Sequence, residues 1–215
     1  MNSPMPITLY DCSTAPSPRR ARIFLAEKGL VCANVQVNLM TGEHLGDAFR
    51  ALNPQCTVPA LQLDDGTVLQ DNAGIAAWAE AVQPEPPLMG TSSLEKAEVA
   101  SWNSRIEFEG LLAIAEALRN TAPAMKGRAL TGPAGVDQIP ELGARGLARA
   151  QRFFDVLDAH LADRSFIATD RFTLADITAV VMVDFARVVR LKPLDTHAHI
   201  RRWREALANR PSLAA

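Results

Sequence analysis

A chain of 215 residues, 48% of them apolar, is long enough for one large domain or two small ones and apolar enough to bury a sizeable core. A net charge of −2 argues against a nucleic-acid or anionic-membrane partner, because either favours a basic face. No apolar run approaches the roughly 20 residues of a membrane span, and the first residues lack the charged start and apolar stretch of a signal peptide, so a soluble cytoplasmic protein is expected.

In chain order, Ile7-Thr8-Leu9-Tyr10 reads as a short strand and is followed by a loop to Pro16. Ser17-Pro18 has the form of a helix start, Ser as N-cap and Pro at the first helical position. Ala21, Phe24 and Leu25 then share one helical face, and Gly29 stands where a helix-ending glycine belongs. Val35, Val37 and Leu39 alternate with Asn34, Gln36 and Asn38, which predicts a half-buried strand with the polar residues turned to solvent. A right-handed crossover would make the two strands parallel. A short helix is expected within 41–54. Ala60 to Leu63 and Thr67 to Gln70 flank Asp64-Asp65-Gly66, a hairpin signal. Asp71 and Asn72 can cap a helix running to about Val82.

Gln83-Pro84-Glu85-Pro86-Pro87 cannot continue that helix and reads as a linker. Beyond it only helical patterns occur, over 92–120, 142–161, 173–189 and 197–209. The Gly- and Pro-rich stretch 121–140 reads as a long loop, mobile without ligand. The expected division is 5–83, an α/β domain of order β-α-β-α-β-β-α as in thioredoxin; 84–91, a linker; and 92–215, an all-α domain. Cys12, Cys32 and Cys56 are odd in number and show no paired spacing, so neither a disulfide framework nor a metal site is expected, which fits a reducing compartment.

Four stretches at consistent spacing resemble the soluble glutathione transferase family over nearly the whole chain. They are Leu9-Tyr10-Asp11 through Pro18 to Gly29; Gly42-Glu43-His44 with Ala51-Leu52-Asn53-Pro54-Gln55; Val58-Pro59-Ala60-Leu61 before Asp64-Asp65-Gly66; and Phe172-Thr173-Leu174-Ala175-Asp176-Ile177. An X-Pro bond is trans about 95% of the time in folded proteins, so residues alone give trans at Val58-Pro59. The resemblance reverses this, because the family holds that proline cis and pairs the preceding backbone with the cysteinyl part of glutathione. Val58 and Pro59 inherit that place. Asp71 and Asn72 match the acidic residue and serine that hold the γ-glutamyl end, Asn replacing Ser. The physics agrees, since a helix N-terminus with free N–H groups binds anions. His44 is a candidate for the glycyl carboxylate and a solvated loop histidine otherwise; Gln55 is a candidate support for the glutathione backbone. Cys56 stands where many relatives have glycine, lysine or histidine, and is given no catalytic role.

The family also places a Tyr, Ser, Cys or Thr between the first strand and helix, to hold the thiol as thiolate. Alignment on Arg22 and Gly29 puts Ala15 there, and alanine donates nothing. Ser17 is the first candidate donor and Thr14 the second; Tyr10 lies too early in the strand. The resemblance implies attack of the glutathione thiolate on small, mostly apolar electrophiles by a homodimeric glutathione S-transferase, with glutathione as co-substrate and no further cofactor. A glutathione-dependent disulfide or peroxide reductase and a non-catalytic binding protein are the alternatives, Ala15 being the argument for the last. Thr173 with Asp176 is read as a capping box, a packing feature.

Overall fold

The computed structural model describes residues 7–214, which fall into two compact units. Unit 1 runs to Pro86 and also takes in Thr131–Ala134 and Ser212 onward; unit 2 comprises Pro87–Leu130 and Gly135–Pro211.

Unit 1 holds β1 (Thr8–Asp11), α1 (Pro16–Glu27), β2 (Ala33–Gln36), α2 (Asp47–Leu52), β3 (Ala60–Gln62), β4 (Val68–Leu69) and α3 (Asn72–Val82). The sheet order is β2-β1-β3-β4, with β1 parallel to β2 and antiparallel to β3, and β3 antiparallel to β4. This is the β-α-β-α-β-β-α order of a thioredoxin-like domain. The β3–β4 turn closes through Leu63 N–H to Thr67 O at 2.8 Å, and Gly66 takes φ +89°, a left-handed value that only glycine adopts without strain. Leu9, Ile23, Phe24, Leu61 and Ile75 form the core, each at most 1% exposed.

Two local readings of the sequence change. The second strand is not half-buried: Ala33–Gln36 is an edge strand exposed along its length, and Val37, just beyond it, is the buried residue. Ser17 is not the N-cap of α1. Ala15 takes that place with extended φ/ψ, Pro16 is the first helical residue and Ser17 the second. Proline's fixed φ suits the first turn, so Pro16 starts the helix two residues earlier than Ser17-Pro18 suggests.

Unit 2 is all-helical. One long helix comprises α4 (Ser93–Arg105), a π-helical stretch at Ile106–Leu111 and α5 (Leu112–Thr121). Gly110 within the π stretch is a packing requirement, since a Cβ there would lie 2.0 Å from Met182 Sδ. α6 (Pro140–His160), α7 (Leu174–Phe185), the single turn α8 (Pro193–Thr196) and α9 (Ala198–Ala206) follow. α7 is the central buried helix. Its Asp176, fully buried, accepts hydrogen bonds from Thr173 N and Oγ1, Ile167 N and Trp203 Nε1 at 3.0–3.2 Å. Burial pushes its carboxyl up from 3.8 to about 6 against those hydrogen bonds. This is the back-bonding half of a capping box, with Asp in place of Glu.

The 121–140 stretch, read as a long loop mobile without ligand, carries hydrogen bonds over 122–130 and 136–139. Arg119 donates to the carbonyls of Arg128 (2.8 Å) and Leu130 (3.3 Å), and Gln138 Nε2 to those of Arg119 (2.7 Å) and Ala122 (2.8 Å). Asn120 Oδ1 accepts from Ile139 N at 2.9 Å, and Ala129 and Val136 amides bond across the stretch at 3.0 and 3.1 Å. Among the described residues no helix is long and apolar enough to cross a membrane.

Candidate functional site

The loop joining β1 to α1 is a turn closed by Ala15 N–H to Cys12 O at 2.9 Å. It leads into a helix N-terminus that is poor in donors. Four N–H groups ordinarily stand free at such an end. Here Ala15 N–H is used in the turn, and Pro16 and Pro18 have no N–H. Among the described residues Ser17 N–H is the backbone donor left in that first turn.

Ser17 is nevertheless well placed. Asn72 Nδ2 donates to Ser17 Oγ at 2.8 Å, so the start of α3 meets the start of α1 through two of the residues singled out in the sequence. Because Oγ accepts in this bond, the Ser17 hydroxyl proton is not consumed by it. Asn72 Oδ1 is buried and has no hydrogen-bond partner among the described residues.

Asp71 is the N-cap of α3, as the sequence indicates: Oδ1 accepts from Gly74 N–H at 2.7 Å. The carboxylate itself is exposed. Asn72 and Ala73 N–H, at the first two helical positions, take no partner among the described residues. The start of α3 thus offers two backbone donors beside one exposed carboxylate, a pairing suited to a zwitterionic amino-acid end.

The Val58–Pro59 bond is cis, in agreement with the resemblance and against the residue-only expectation. Neither Val58 N–H nor C=O is hydrogen-bonded among the described residues, so both are available to a ligand backbone. The segment before it is organised by Asn53, which is fully buried. Its Nδ2 donates to Thr57 O at 2.8 Å and its Oδ1 accepts from Gln55 N at 3.0 Å. Cys56 is buried and left-handed at φ +53°, a conformation that glycine adopts with less strain. Gln55 is exposed, and the backbone of Gly132 lies against its carbonyl, where an added Cβ would sit 3.4 Å from Gln55 O.

His44 sits in a 3₁₀ turn, Glu43–Leu45, and at 8% exposure it is buried, which removes the reading of a solvated loop histidine. Thr14 is exposed, its Oγ1 3.5 Å from Cys12 Sγ. The Tyr10 hydroxyl donates to Gln62 Oε1 at 3.1 Å and is committed to the sheet, so its exclusion as a thiol donor agrees with the geometry. Cys32 is half-buried, and burial together with the nearby Asp11 charge raises its pKa, which leaves its thiol protonated near neutrality.

Sequence reasoning missed Asp11. The β1–β2 register sets it opposite Gln36, and at 1% exposure it accepts from Arg22 Nη1, Asn34 Nδ2 (2.9 Å) and Gln36 Nε2 (2.8 Å). The signal was present in the sequence: Asn34 and Gln36 stand two apart on a strand and so share a face.

A thioredoxin-like unit with a cis-proline turn before its third strand and a capped third helix, followed in the chain by an all-helical unit, is the architecture of the soluble glutathione transferases. The chain belongs to the glutathione S-transferase family: residues 14–82 match the model of its N-terminal domain and 137–211 that of its C-terminal domain. Glutathione S-transferase 2 of Saccharomyces cerevisiae is 33% identical over 208 residues, 95% of this chain and 87% of that protein. The crystal structure of a glutathione S-transferase domain-containing protein from Marinobacter aquaeolei VT8 superposes with a TM-score of 0.87 at 36% identity, covering 96% of this chain and 99% of that one. A probable elongation factor 1-gamma 1 of Arabidopsis thaliana is 30% identical over 197 residues, 87% of this chain but 45% of that longer protein.

Proposed function

We propose that this chain is a glutathione transferase that binds glutathione in unit 1 and joins its sulfur to small, mostly apolar electrophiles. The observation that carries the reading is the Asn72–Ser17 hydrogen bond. It supports the reading because it links Asn72, expected at the γ-glutamyl end of the ligand, to Ser17, the first candidate for the thiol. In this reading Asp71 takes the ligand amine, Asn72 and Ala73 N–H groups take its carboxylate, and Val58 pairs strand-like with the cysteinyl residue. Pro59 shapes that turn, and Gln55 and His44 serve the glycyl end. Ser17 donates to the thiolate, with Thr14 in reserve. The enzyme's work is ionisation and positioning, followed by sulfur attack on an electrophilic carbon with departure of its leaving group. Glutathione is a co-substrate, and no cofactor is proposed. Family membership further supports a cytoplasmic homodimer.

Ala15 favours a second reading, a glutathione-binding scaffold without turnover, because the usual donor position carries no side-chain donor and α1 presents a single free N–H. Similarity to a probable elongation factor 1-gamma 1 is compatible with it. Three measurements separate the readings: glutathione binding by calorimetry, a chromophoric halo-arene conjugation assay, and reduction of hydroxyethyl disulfide. Binding with conjugation supports the proposal. Disulfide reduction alone would assign the chain to the glutathione-dependent reductases. Binding with neither activity selects the scaffold, and no binding removes the proposal.

A further inference from the structure

Asp11 lies outside the ligand-facing residues named above, yet two of its three side-chain partners reach the loop that precedes Ser17. It is 1% exposed and accepts from three side chains on two elements: Arg22 of α1, and Asn34 and Gln36 of β2. Two of those side chains reach onward to a single residue. Gln36 Oε1 accepts from Ser13 N–H at 2.9 Å, and Arg22 Nη2 lies 3.4 Å from Ser13 O. The N–H and C=O of one exposed loop residue are therefore both engaged by side chains that Asp11 orients.

A buried carboxylate is costly unless its lone pairs are filled, and here they are filled by groups serving a four-residue turn. Holding β1 to β2 does not require it, because four backbone pairs from Thr8–Ala33 to Asp11–Gln36 already do so. What the network adds is a fixed path from the end of β1 into α1. That path contains no side-chain cap: Ala15 caps α1 through backbone alone and the loop residues Ser13 and Thr14 are exposed. Without Gln36 and Arg22 the turn would rest on the Ala15–Cys12 hydrogen bond.

We infer that Asp11 is a positioning residue for the thiol site, acting through Gln36 and Arg22 on the Ser13 backbone to fix where α1 begins and so where Ser17 N–H and Oγ point. The inference rests on the assignment of Ser17 to the thiolate. It also accounts for a site that works with few donors, since a single hydroxyl and a single N–H are useful only when held in place.

The test uses the full chain and two variants, Asp11→Asn and Gln36→Met. The first keeps the shape of Asp11 but not its charge or full acceptor set. The second, on the exposed edge strand, cuts the Ser13 N–H bond and leaves the Asp11–Arg22 pair, so it stays informative if the first fails to fold. Amide exchange of Ser13 in the ligand-free protein is expected to rise about tenfold or more in each variant that folds. The pKa of bound glutathione, followed by thiolate ultraviolet absorbance, is expected to rise by about one unit in each, with Ser17 untouched. A purely structural role would lower urea stability and leave the bound thiol pKa in place. Faster Ser13 exchange with an unchanged thiol pKa therefore overturns the inference, as does unchanged exchange. A wild-type protein that leaves the thiol at its free pKa overturns the reading of the site and this inference together. A lowered wild-type pKa that persists in the variants overturns this inference alone.

Discussion

Replacing Ser17 with alanine tests the chemical core of the proposal. A free thiol with pKa about 8.5 is roughly 3% ionised at pH 7, and lowering the pKa by two units raises this to about 75%. That shift corresponds to about 2.7 kcal/mol of differential stabilisation. A hydrogen bond to a charged acceptor contributes about 1.5–3 kcal/mol, so one hydroxyl accounts for about one to two units. Ser17→Ala should therefore raise the bound-thiol pKa by about one to two units and reduce the thiolate fraction at pH 7 about 3- to 25-fold. The stability cost has a different origin from the one the sequence suggests. Ser17 is the second helical residue and Ala15 the cap, so no capping bond is lost. What is lost is the acceptor for Asn72 Nδ2, whose amide oxygen already lacks a partner, and the expected cost is about 1 kcal/mol. Thiolate absorbance against pH reads the first effect and urea titration the second. Ser17→Ala combined with Asn72→Ala, compared with each alone, isolates the pair. An unchanged thiol pKa in Ser17→Ala, with Thr14→Val shifting it instead, would refute the assignment and move the donor to Thr14.

The remaining expectations concern the scaffold. Asp176 has its pKa raised to about 6 by burial, so the folded state holds a proton more tightly than the unfolded state, and stability from this group is full below about pH 4 and lost as pH rises through 6. Urea titrations of wild type and Asp176→Asn should diverge by about 2 kcal/mol between pH 4 and 7, wild type falling relative to the variant; parallel curves would contradict the raised pKa. Lys28, whose side chain is fully buried, donates to Pro84 O and Pro86 O and pairs with Glu80 at 2.5 Å. Lys28→Met should cost about 2–4 kcal/mol, less than a fully buried pair because Glu80 retains some solvent contact, and a loss under about 1 kcal/mol in urea would contradict that role. In the 121–140 stretch, amides of Ala129, Val136 and Ile139 should exchange more slowly than those of 131–135; uniform fast exchange would restore the mobile loop.

The fold was legible because its signals are local and ordered along the chain. A helix pattern ending at Gly29, a hairpin at Asp65-Gly66, a cap at Asp71 and a proline-rich break give the α/β unit from periodicity and turn chemistry alone. The family motifs then supplied the cis bond at Val58-Pro59, which no local rule favours. Three features escaped the sequence for physical reasons. Pro16 and Pro18 both satisfy the preference for proline early in a helix, and choosing the later one made Ser17 a cap. Alternation in β2 was taken as one face buried, but Asn34 and Gln36 turn toward the Asp11 carboxylate, a long-range partner that period-two reasoning does not see. In the 121–140 stretch the side-chain ties from Arg119, Asn120 and Gln138 leave no periodic trace, so they could not be read from sequence.

Unit 1 is not contiguous. Arg19 of α1 donates to Leu213 O at 3.3 Å, and Ser212 Oγ bonds the Glu27 carboxylate, so residues far along the chain finish the packing of its first helix. On the ribosome this unit must wait, incomplete, while α4 through α9 are made. For the experimenter it means that cutting the gene in the proline-rich linker does not yield unit 1 as a finished part. Such a fragment would carry α1 with Arg19 and Glu27 stripped of these two partners, and binding studies belong on the whole chain.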